Sequence, residues 1–203
     1  MARLRRSIIW GIGNDIEDAK RKLAKQGGDG FCIDLEDGVP FTKKEEARKI
    51  SVEMIRTLDF RGRERIVRIN PIDTDDFWKD IREVIAVAPP DAIRVPKCET
   101  VRDMIKVDAL LEEIERRSHL APNSIEVIAM IESPLGVRNA YDIAVSCERI
   151  TAINMGMEDL TREMEVKRRY EDNELDLIYA RQKFVLDAKA AGVQAIDSCL
   201  LIW

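Results

Sequence analysis

The sequence has few of the features that mark disulfide-rich, metal-finger or membrane proteins. Its four cysteines are scattered, form no CxxC pair and lack metal-ligand spacing: Cys32, Cys98, Cys147 and Cys199. Reduced thiols in a cytoplasmic protein are the plain interpretation of this pattern. The longest apolar runs, such as residues 127–131, are far too short to cross a bilayer. We therefore expect a cytoplasmic protein that does not enter a membrane.

Histidine, linker sequence and excess charge are also scarce. The single histidine, His119, lies in the polar stretch ERRSHLAPN, which argues against a histidine-based triad or a zinc site. No Pro/Ser-rich stretch, low-complexity run or block of like charges divides the 203 residues, so we expect one domain over residues 1–203. The net charge of −5 argues against general nucleic-acid binding.

Short apolar stretches alternate with charged segments of helical periodicity. The seven stretches are SIIWGIG, GFCIDLE, RIVRIN, DAIRVPK, IEVIAMIES, ITAINMG and VQAIDS. Strands that alternate with helices indicate right-handed βαβ units and a parallel sheet. Seven such strands predict an α/β protein with most of a (β/α)8 TIM-type barrel, truncated before strand eight.

Three of the intervening segments carry helix signals. They are FTKKEEARKISVEMIRTL, VRDMIKVDALLEEIERR and NELDLIYARQKFVLDAKAAG. Thr42 followed by Glu45 predicts a capping box at the start of the first, and Thr100 with Asp103 repeats that signal weakly before the second. Gly192 is expected to close the third helix in a left-handed conformation.

Polar side chains follow most of the predicted strands. In chain order they are Glu36, Asp37, Arg68, Asn70, Lys97, Glu132, Glu158 and Asp159. In a (β/α)8 barrel the C-terminal ends of the strands form one face, and that face carries the chemistry. Charges far apart in sequence therefore converge on one mouth. We expect the three carboxylates of DLED, residues 34–37, to face Arg68, Lys97 and a bound cation.

Residue chemistry alone suggests roles for some of these groups. Mg²⁺ prefers oxygen ligands and is typically held by one or two carboxylates, so Glu132 and Asp159 are the expected pair. Arg68 offers a planar fork suited to a substrate carboxylate. The segment GIGN lacks the third glycine of a dinucleotide fingerprint. We interpret it as a turn whose backbone N–H groups, at Gly11 and Asn14, bind a phosphate or thioester.

The series of motifs resembles the citrate lyase β-subunit-like branch of the HpcH/HpaI aldolase family, which includes malyl-CoA and citramalyl-CoA lyases. The matching segments are RRS (5–7), GIGN (11–14), DLEDGV (34–39), KKEEAR (43–48), VRIN (67–70), VPK (95–97), IESPLGVRNA (131–140), GMEDL (156–160), YAR (179–181) and AGVQAID (191–197). Each motif is weak alone, but their order and spacing over essentially the whole chain are highly specific. Ile12 is a minor departure from the family pattern.

The resemblance implies an oxo-acid lyase that depends on Mg²⁺ and cleaves a 3-hydroxyacyl thioester. The substrate class is citryl-, malyl- or citramalyl-CoA, or an acyl-carrier thioester, and the products are an acyl thioester and a 2-oxo acid. The family pattern implies the same metal pair and puts Asp37 near the acyl carbon. It favours a structural or carboxylate-pairing role for Lys97 over Schiff-base chemistry. Glu36 is expected to orient Arg68 or a metal-bound water. A homo-oligomer, trimeric or larger, is also implied.

Two alternatives remain open at this point. One is a non-catalytic or degenerate member, because the chain stops at SCLLIW where the family continues with strand eight, an HPxQ segment and a helical extension. The other is a pyruvate-dependent aldolase acting on free aldehydes, which would be expected to have a catalytic histidine that His119 is not positioned to supply. A chain ending at Trp203 would leave the edges of SIIWG and QAIDS unpaired. We expect it to be the ordered part of a longer chain or to associate through those edges.

Overall fold

The structure is a computed structural model that describes residues 3–169 and 174–198. Within those ranges, seven strands alternate with seven α-helices. The strands are β1 (Ile8–Ile12), β2 (Gly30–Asp34), β3 (Glu64–Arg68), β4 (Ala92–Val95), β5 (Glu126–Ile131), β6 (Ile150–Met155) and β7 (Gln194–Ile196). The helices are α1 (Ile16–Lys25), α2 (Lys44–Thr57), α3 (Asp75–Asp80), α4 (Val101–Arg117), α5 (Pro134–Ala144), α6 (Met157–Glu163) and α7 (Ile178–Ala190). All seven strands coincide with the apolar stretches predicted from the sequence, although β3 begins one residue earlier, at Glu64. The sheet order is β1 to β7.

The described residues divide into two compact units. The first unit takes residues 3–95 and 110–126, and the second unit takes residues 96–109 and 127–198 without the undescribed segment. The expectation of one domain over residues 1–203 stays a prediction. No helix among the described residues is long and apolar enough to span a membrane.

The strands of the first unit are parallel, and their register aligns the residues that end them. Asp34, the last residue of β2, is the Cα partner of Arg68, the last residue of β3, and Arg68 is in turn the partner of Arg94 on β4. Every residue of β2 is buried, as expected for a parallel strand covered on both faces. Aligned residues of parallel strands project to the same face of a sheet, so the charged residues come together at one end of these strands.

Buried ion pairs lie at the N-terminal end of the same strands. Arg5, from the RRS motif, donates from Nε and Nη2 to the two carboxylate oxygens of Glu64 at 2.7 and 2.6 Å, and it also contacts Glu126. The Arg5 side chain is fully buried. Two carboxylates around one buried guanidinium satisfy its charge, so this motif has a structural explanation.

The helix starts test the capping signals. The prediction for Thr42 is wrong, because α2 begins at Lys44 after a 3-10 turn over Phe41–Lys43, and no side chain caps it. The 3-10 turn pairs the Lys44 backbone N–H with the Phe41 carbonyl instead, which satisfies one of the donors that a side chain at Thr42 would have capped. The prediction for Thr100 and Asp103 is confirmed, since each backbone N–H donates to the other side chain, at 2.8 and 3.4 Å.

The second unit contains β5, β6 and β7, which are also parallel neighbours. Helix α7 is followed by Gly192 with φ of +74°, so the predicted left-handed cap is confirmed. Asn154 on β6 donates from its side chain to the Ile196 carbonyl at 2.9 Å. The residues that follow β5 and β6 include the predicted metal ligands.

Candidate active site

In the first unit, Asp34 organises both Arg68 and the turn that follows β2. Arg68 donates from Nε and Nη2 to the two oxygens of Asp34, at 2.7 Å each. The same oxygens accept the backbone N–H groups of Glu36 and Gly38, at 2.9 Å each. The contact between Asp34 and Arg68 is the one expected from the sequence for the carboxylates of residues 34–37.

Two further side chains contact the Arg68 guanidinium. Its Nη1 lies 2.7 Å from a carboxylate oxygen of Glu36, and its Cζ lies 4.8 Å from the centre of the Trp10 ring. The Arg94 guanidinium also packs on Trp10, at 4.6 Å. Burial favours the neutral form of Arg68, but the hydrogen bond and charge of Asp34 and the charge of Glu36 outweigh it and raise the pKa of Arg68 above its usual value. Arg68 is therefore a fixed cation.

In the second unit, Glu132 directly follows β5 and is 4% exposed. One of its carboxylate oxygens accepts the backbone N–H of Lys97 at 3.0 Å. Lys97 has φ of +53°, a left-handed conformation that non-glycine residues adopt at a cost and that often occurs at functional sites. The backbone at Lys97 therefore directs its N–H at the carboxylate.

Gly156 provides the space that the Glu132 side chain occupies. A Cβ atom at Gly156 would lie 2.3 Å from Oε1 of Glu132, well inside the contact distance. Its φ of −105° is ordinary, so the requirement for glycine is space rather than backbone freedom. Sequence reasoning missed this residue, although its position between a strand and a helix in GMEDL was visible.

Asp159 is brought to the same end of β5 and β6 as Glu132. The Gly156 backbone N–H donates to the Ile131 carbonyl at 2.9 Å, which ties the residue before α6 to the residue before Glu132. Asp159 lies in the first turn of α6, and its carboxylate pairs at 2.5 Å with Arg162, whose side chain is 75% exposed. A pair with so exposed a cation is weak and can be exchanged for another ligand.

The donor set at this position fits a hard cation. Within residues 3–169 and 174–198 there is no group of three or more His, Cys, Asp or Glu side chains that could hold a metal. Mg²⁺ does not require one, because it keeps several waters and uses one or two carboxylates together with substrate oxygens. Glu132 and Asp159 are both oxygen donors, and one is buried while the other is partly accessible.

The remaining predicted residues occupy varied surroundings. Asp37 is exposed in the turn after β2, Asn14 is half-buried before α1, and His119 is exposed as expected. Gly11 lies inside β1, where a Cβ atom would meet the Phe31 ring at 2.4 Å. Gly11 thus has a packing role, and the thioester contact expected of it and of Asn14 stays a prediction. The same holds for the role of Lys97, whose expected contact with the DLED carboxylates also stays a prediction.

Comparison with known proteins identifies similar sequences along almost the whole chain. The family model for HpcH/HpaI aldolase/citrate lyase matches residues 6–201. The chain is 36% identical over 199 residues to the citrate lyase subunit beta of Leuconostoc mesenteroides subsp. cremoris, covering 97% of this chain and 64% of that protein. It is 36% identical over 146 residues to an L-malyl-CoA/beta-methylmalyl-CoA lyase of Cereibacter sphaeroides, covering 70% of this chain and 45% of that protein. The chain spans just under two thirds of the length of the curated citrate lyase relatives it matches.

Solved structures show the same fold. The citrate lyase beta subunit of M. tuberculosis complexed with oxaloacetate and magnesium matches with a TM-score of 0.75 at 27% identity, covering 96% of this chain and 78% of that one. A structure of the CitE protein from Mycobacterium tuberculosis with magnesium, acetoacetate and coenzyme A matches with a TM-score of 0.74, covering 96% of this chain and 65% of that one. These matches and the seven alternating strands confirm the predicted (β/α) TIM-type fold class.

Proposed function

This chain belongs to the HpcH/HpaI aldolase/citrate lyase family, and we propose that it is a Mg²⁺-dependent carbon–carbon lyase. Its substrate is a 3-hydroxyacyl thioester of the citryl, malyl or citramalyl class, carried on CoA or on an acyl carrier. The bond between the hydroxyl-bearing carbon and the carbon next to the thioester breaks. The hydroxyl loses its proton and becomes the carbonyl of a 2-oxo acid. The electron pair passes to the acyl thioester as an enolate, which then takes up a proton.

Glu132 and Asp159 of the second unit are the residues we assign to the metal. Bound Mg²⁺ would supply Lewis-acid polarisation of the 2-oxo group and neutralise charge on its oxygen atoms. The Lys97 backbone N–H, at 3.0 Å, keeps one oxygen of Glu132 in place. The space at Gly156 accommodates the other oxygen. The carboxylate is therefore preorganised before any ligand arrives.

Arg68 of the first unit is assigned to the carboxylate of the oxo acid. Asp34 and Glu36 fix its guanidinium, and a fixed fork loses little conformational entropy when it binds a carboxylate. Asp37, an exposed carboxylate in the turn after β2, is assigned to the acyl carbon, where it can exchange a proton with the enolate. Glu36 acts through Arg68 and orients it.

The observation that carries this proposal is the way the Glu132 carboxylate is buried and held in place. The Glu132 carboxylate is 4% exposed, and burying a charged group is costly. Here the backbone adopts a left-handed conformation at Lys97 and a glycine is required at Gly156, which together hold the carboxylate in one orientation. Solved relatives of the same fold are described as complexes with magnesium and small oxo acids or their analogues.

The test is a cleavage assay with matched variants. We expect the parent chain to release a 2-oxo acid from citryl-, malyl- or citramalyl-CoA only when Mg²⁺ is present. Glu132→Gln and Asp159→Asn should each abolish this activity and weaken Mn²⁺ binding measured by electron paramagnetic resonance, while circular dichroism stays unchanged. The control is Glu163→Gln, which also replaces a carboxylate by a carboxamide, but at an exposed residue of the helix that contains Asp159. The proposal would be overturned if both site variants bound Mn²⁺ as the parent does and the parent cleaved no thioester.

A further inference from the structure

We propose that Lys44 is a positioning residue that holds the Glu36–Arg68 pair in place from outside the strands and thereby governs oxo-acid binding. Only one part of this role, the effect on oxo-acid binding, rests on the proposed function. The positioning of Arg68 does not depend on that function. The sequence predicts no role for Lys44 or for its neighbour Lys43 in KKEEAR.

The ammonium group of Lys44 uses all three of its donors. Its Nζ lies 2.6 Å from the Leu35 carbonyl, 2.7 Å from the Glu36 carbonyl and 2.7 Å from Oδ1 of Asn70. The two carbonyls belong to the peptide groups on either side of Glu36, so the backbone of Glu36 is held at both ends. A protonated lysine has three N–H donors and no acceptor, and here every donor has a protein partner.

The third contact joins the segment after β2 to the segment after β3. Asn70 lies two residues beyond Arg68, and its side chain donates to the Leu35 carbonyl at 3.0 Å and to Asp80 at 2.7 Å. Asp80 is fully buried and is held in turn by Arg48 on α2, at 2.7 Å. Lys44 and Arg48 are four residues apart on α2, so they lie on the same face of this helix. From that face, α2 holds the segment after β2 and the segment after β3.

The hydrogen bonds of Lys44 affect Arg68 through Glu36. The turn after β2 presents the Glu36 carboxylate 2.7 Å from Nη1 of Arg68, and this contact depends on where the backbone of Glu36 lies. A neutral amine has only two N–H donors, so it can serve two of the three acceptors. Loss of the Lys44 proton, or of the amine itself, therefore loosens the turn and releases one side of the guanidinium.

The charge state of Lys44 makes this contact sensitive to alkaline pH. Burial is the largest influence and lowers the pKa of Lys44 below its ordinary value of 10.5, although nearby carboxylates oppose the change. The charged groups that act on it from the strand, the turn and α3 are Asp34, Glu36, Asp76 and Asp80. Arg48, on the same helix as Lys44, pairs with Asp80. Because the pKa is depressed, Lys44 loses its proton at a lower pH than an exposed lysine does.

The experiment compares Lys44→Met with Lys43→Met. Methionine keeps a similar unbranched chain and removes the donors. Lys43 is the matched control because its side chain is about half exposed and its ammonium pairs with Glu46 at the surface, at 2.8 Å. Carbon-detected NMR of the Arg68 Cζ, assigned with Arg68→Lys, reports the guanidinium environment, and calorimetry reports oxaloacetate affinity in the presence of Mg²⁺. We expect Lys44→Met to shift the Arg68 signal and weaken oxaloacetate binding roughly tenfold or more, and Lys43→Met to change neither.

A second measurement on the parent chain covers the case in which Lys44→Met does not fold. The Cε shift of Lys44 and the Cζ shift of Arg68 are followed together as the pH rises, and we expect both to change with the same midpoint, below 10.5. An Arg68 signal that stays constant while Lys44 titrates would overturn the proposal. So would a folded Lys44→Met with parent-like Arg68 signal and affinity. If the parent chain binds no oxaloacetate but the two signals still move together, the positioning role stands and the proposed function fails.

Discussion

At the scale of single residues, the Arg68 guanidinium makes structural contacts and, in our proposal, also binds the oxo acid. A guanidinium carries five N–H donors. Two of them form the hydrogen bonds to Asp34, and Nη1 lies close to the Glu36 carboxylate. The other donors, on Nη1 and Nη2, are the ones we assign to the oxo-acid carboxylate. Arg68→Lys retains the charge but loses the two-pronged geometry. We expect oxaloacetate binding, measured by calorimetry with Mg²⁺ present, to weaken by about 1.5–3 kcal/mol, the value of a hydrogen bond to a charged group.

Arg65→Lys is the matched control for that prediction. Arg65 lies at the other end of β3 and makes the same kind of two-pronged contact, to Asp91 at 3.2 and 2.9 Å. It should leave oxaloacetate binding unchanged. If Arg68→Lys bound oxaloacetate as tightly as the parent, Arg68 would be an ordinary structural cation paired with Asp34.

Gly156 allows a test of the proposed metal site without removal of either proposed ligand. Gly156→Ala introduces a Cβ atom 2.3 Å from Oε1 of Glu132, so the carboxylate must move. Displacing a ligand through its surroundings typically costs 10–100-fold in metal affinity, and we expect Mn²⁺ binding to weaken by roughly tenfold or more. Gly27→Ala, where a Cβ atom meets nothing within 4 Å, should bind Mn²⁺ like the parent. Unchanged Mn²⁺ binding in Gly156→Ala would show that Glu132 is not a ligand.

At the scale of elements, the contact between α2 and α3 depends on a buried ion pair. The side chains of Arg48 and Asp80 are 3% and 0% exposed and lie 2.7 Å apart. Burial, the largest influence, raises the pKa of Asp80 above its usual value despite the hydrogen bonds from Asn70 and Arg48. Removing Arg48 leaves that carboxylate without its cation, so Arg48→Met should lower the free energy of unfolding in urea by about 3–5 kcal/mol.

Arg116→Met is the comparison for Arg48→Met. Arg116 pairs with Glu113 on the exposed face of α4, and its side chain is 70% exposed. Pairs of this kind contribute about 0–1 kcal/mol. If both variants lost the same small amount of stability, the Arg48–Asp80 contact would not be what holds α2 against α3.

At the scale of the whole molecule, the edges of the sheet lead us to predict association between chains. Among the described residues, β1 pairs with β2, β7 pairs with β6, and neither has a second strand partner there. Unpaired strand edges expose backbone donors and acceptors that readily pair with another chain. Light scattering of the 203-residue chain should therefore give a multiple of the chain mass, in line with the expected homo-oligomer. A monodisperse, active monomer would contradict this prediction.

The sequence by itself determined the strand positions, the fold class and the family. Apolar stretches and helical periodicity are local properties of the chain, and each of the seven stretches forms the strand predicted for it. The reciprocal cap at Thr100 and the left-handed Gly192 are local as well. The cap expected at Thr42 is absent because the 3-10 turn already pairs the Lys44 backbone N–H with the Phe41 carbonyl. The undescribed residues include Cys199 and the final apolar run to Trp203, so expectations about them lie outside the described residues.

Only the tertiary structure decided which polar groups meet. The register of β2 and β3 aligns Asp34 with Arg68, and a shift of one residue would send every side chain of a strand to the opposite face. Lys44 reaches three acceptors while Lys43 remains at the surface, a distinction that two identical neighbouring residues cannot encode locally. Gly156 matters because the Glu132 carboxylate occupies the space beside it. Such contacts join residues far apart in the chain, so they depend on packing that no local pattern specifies.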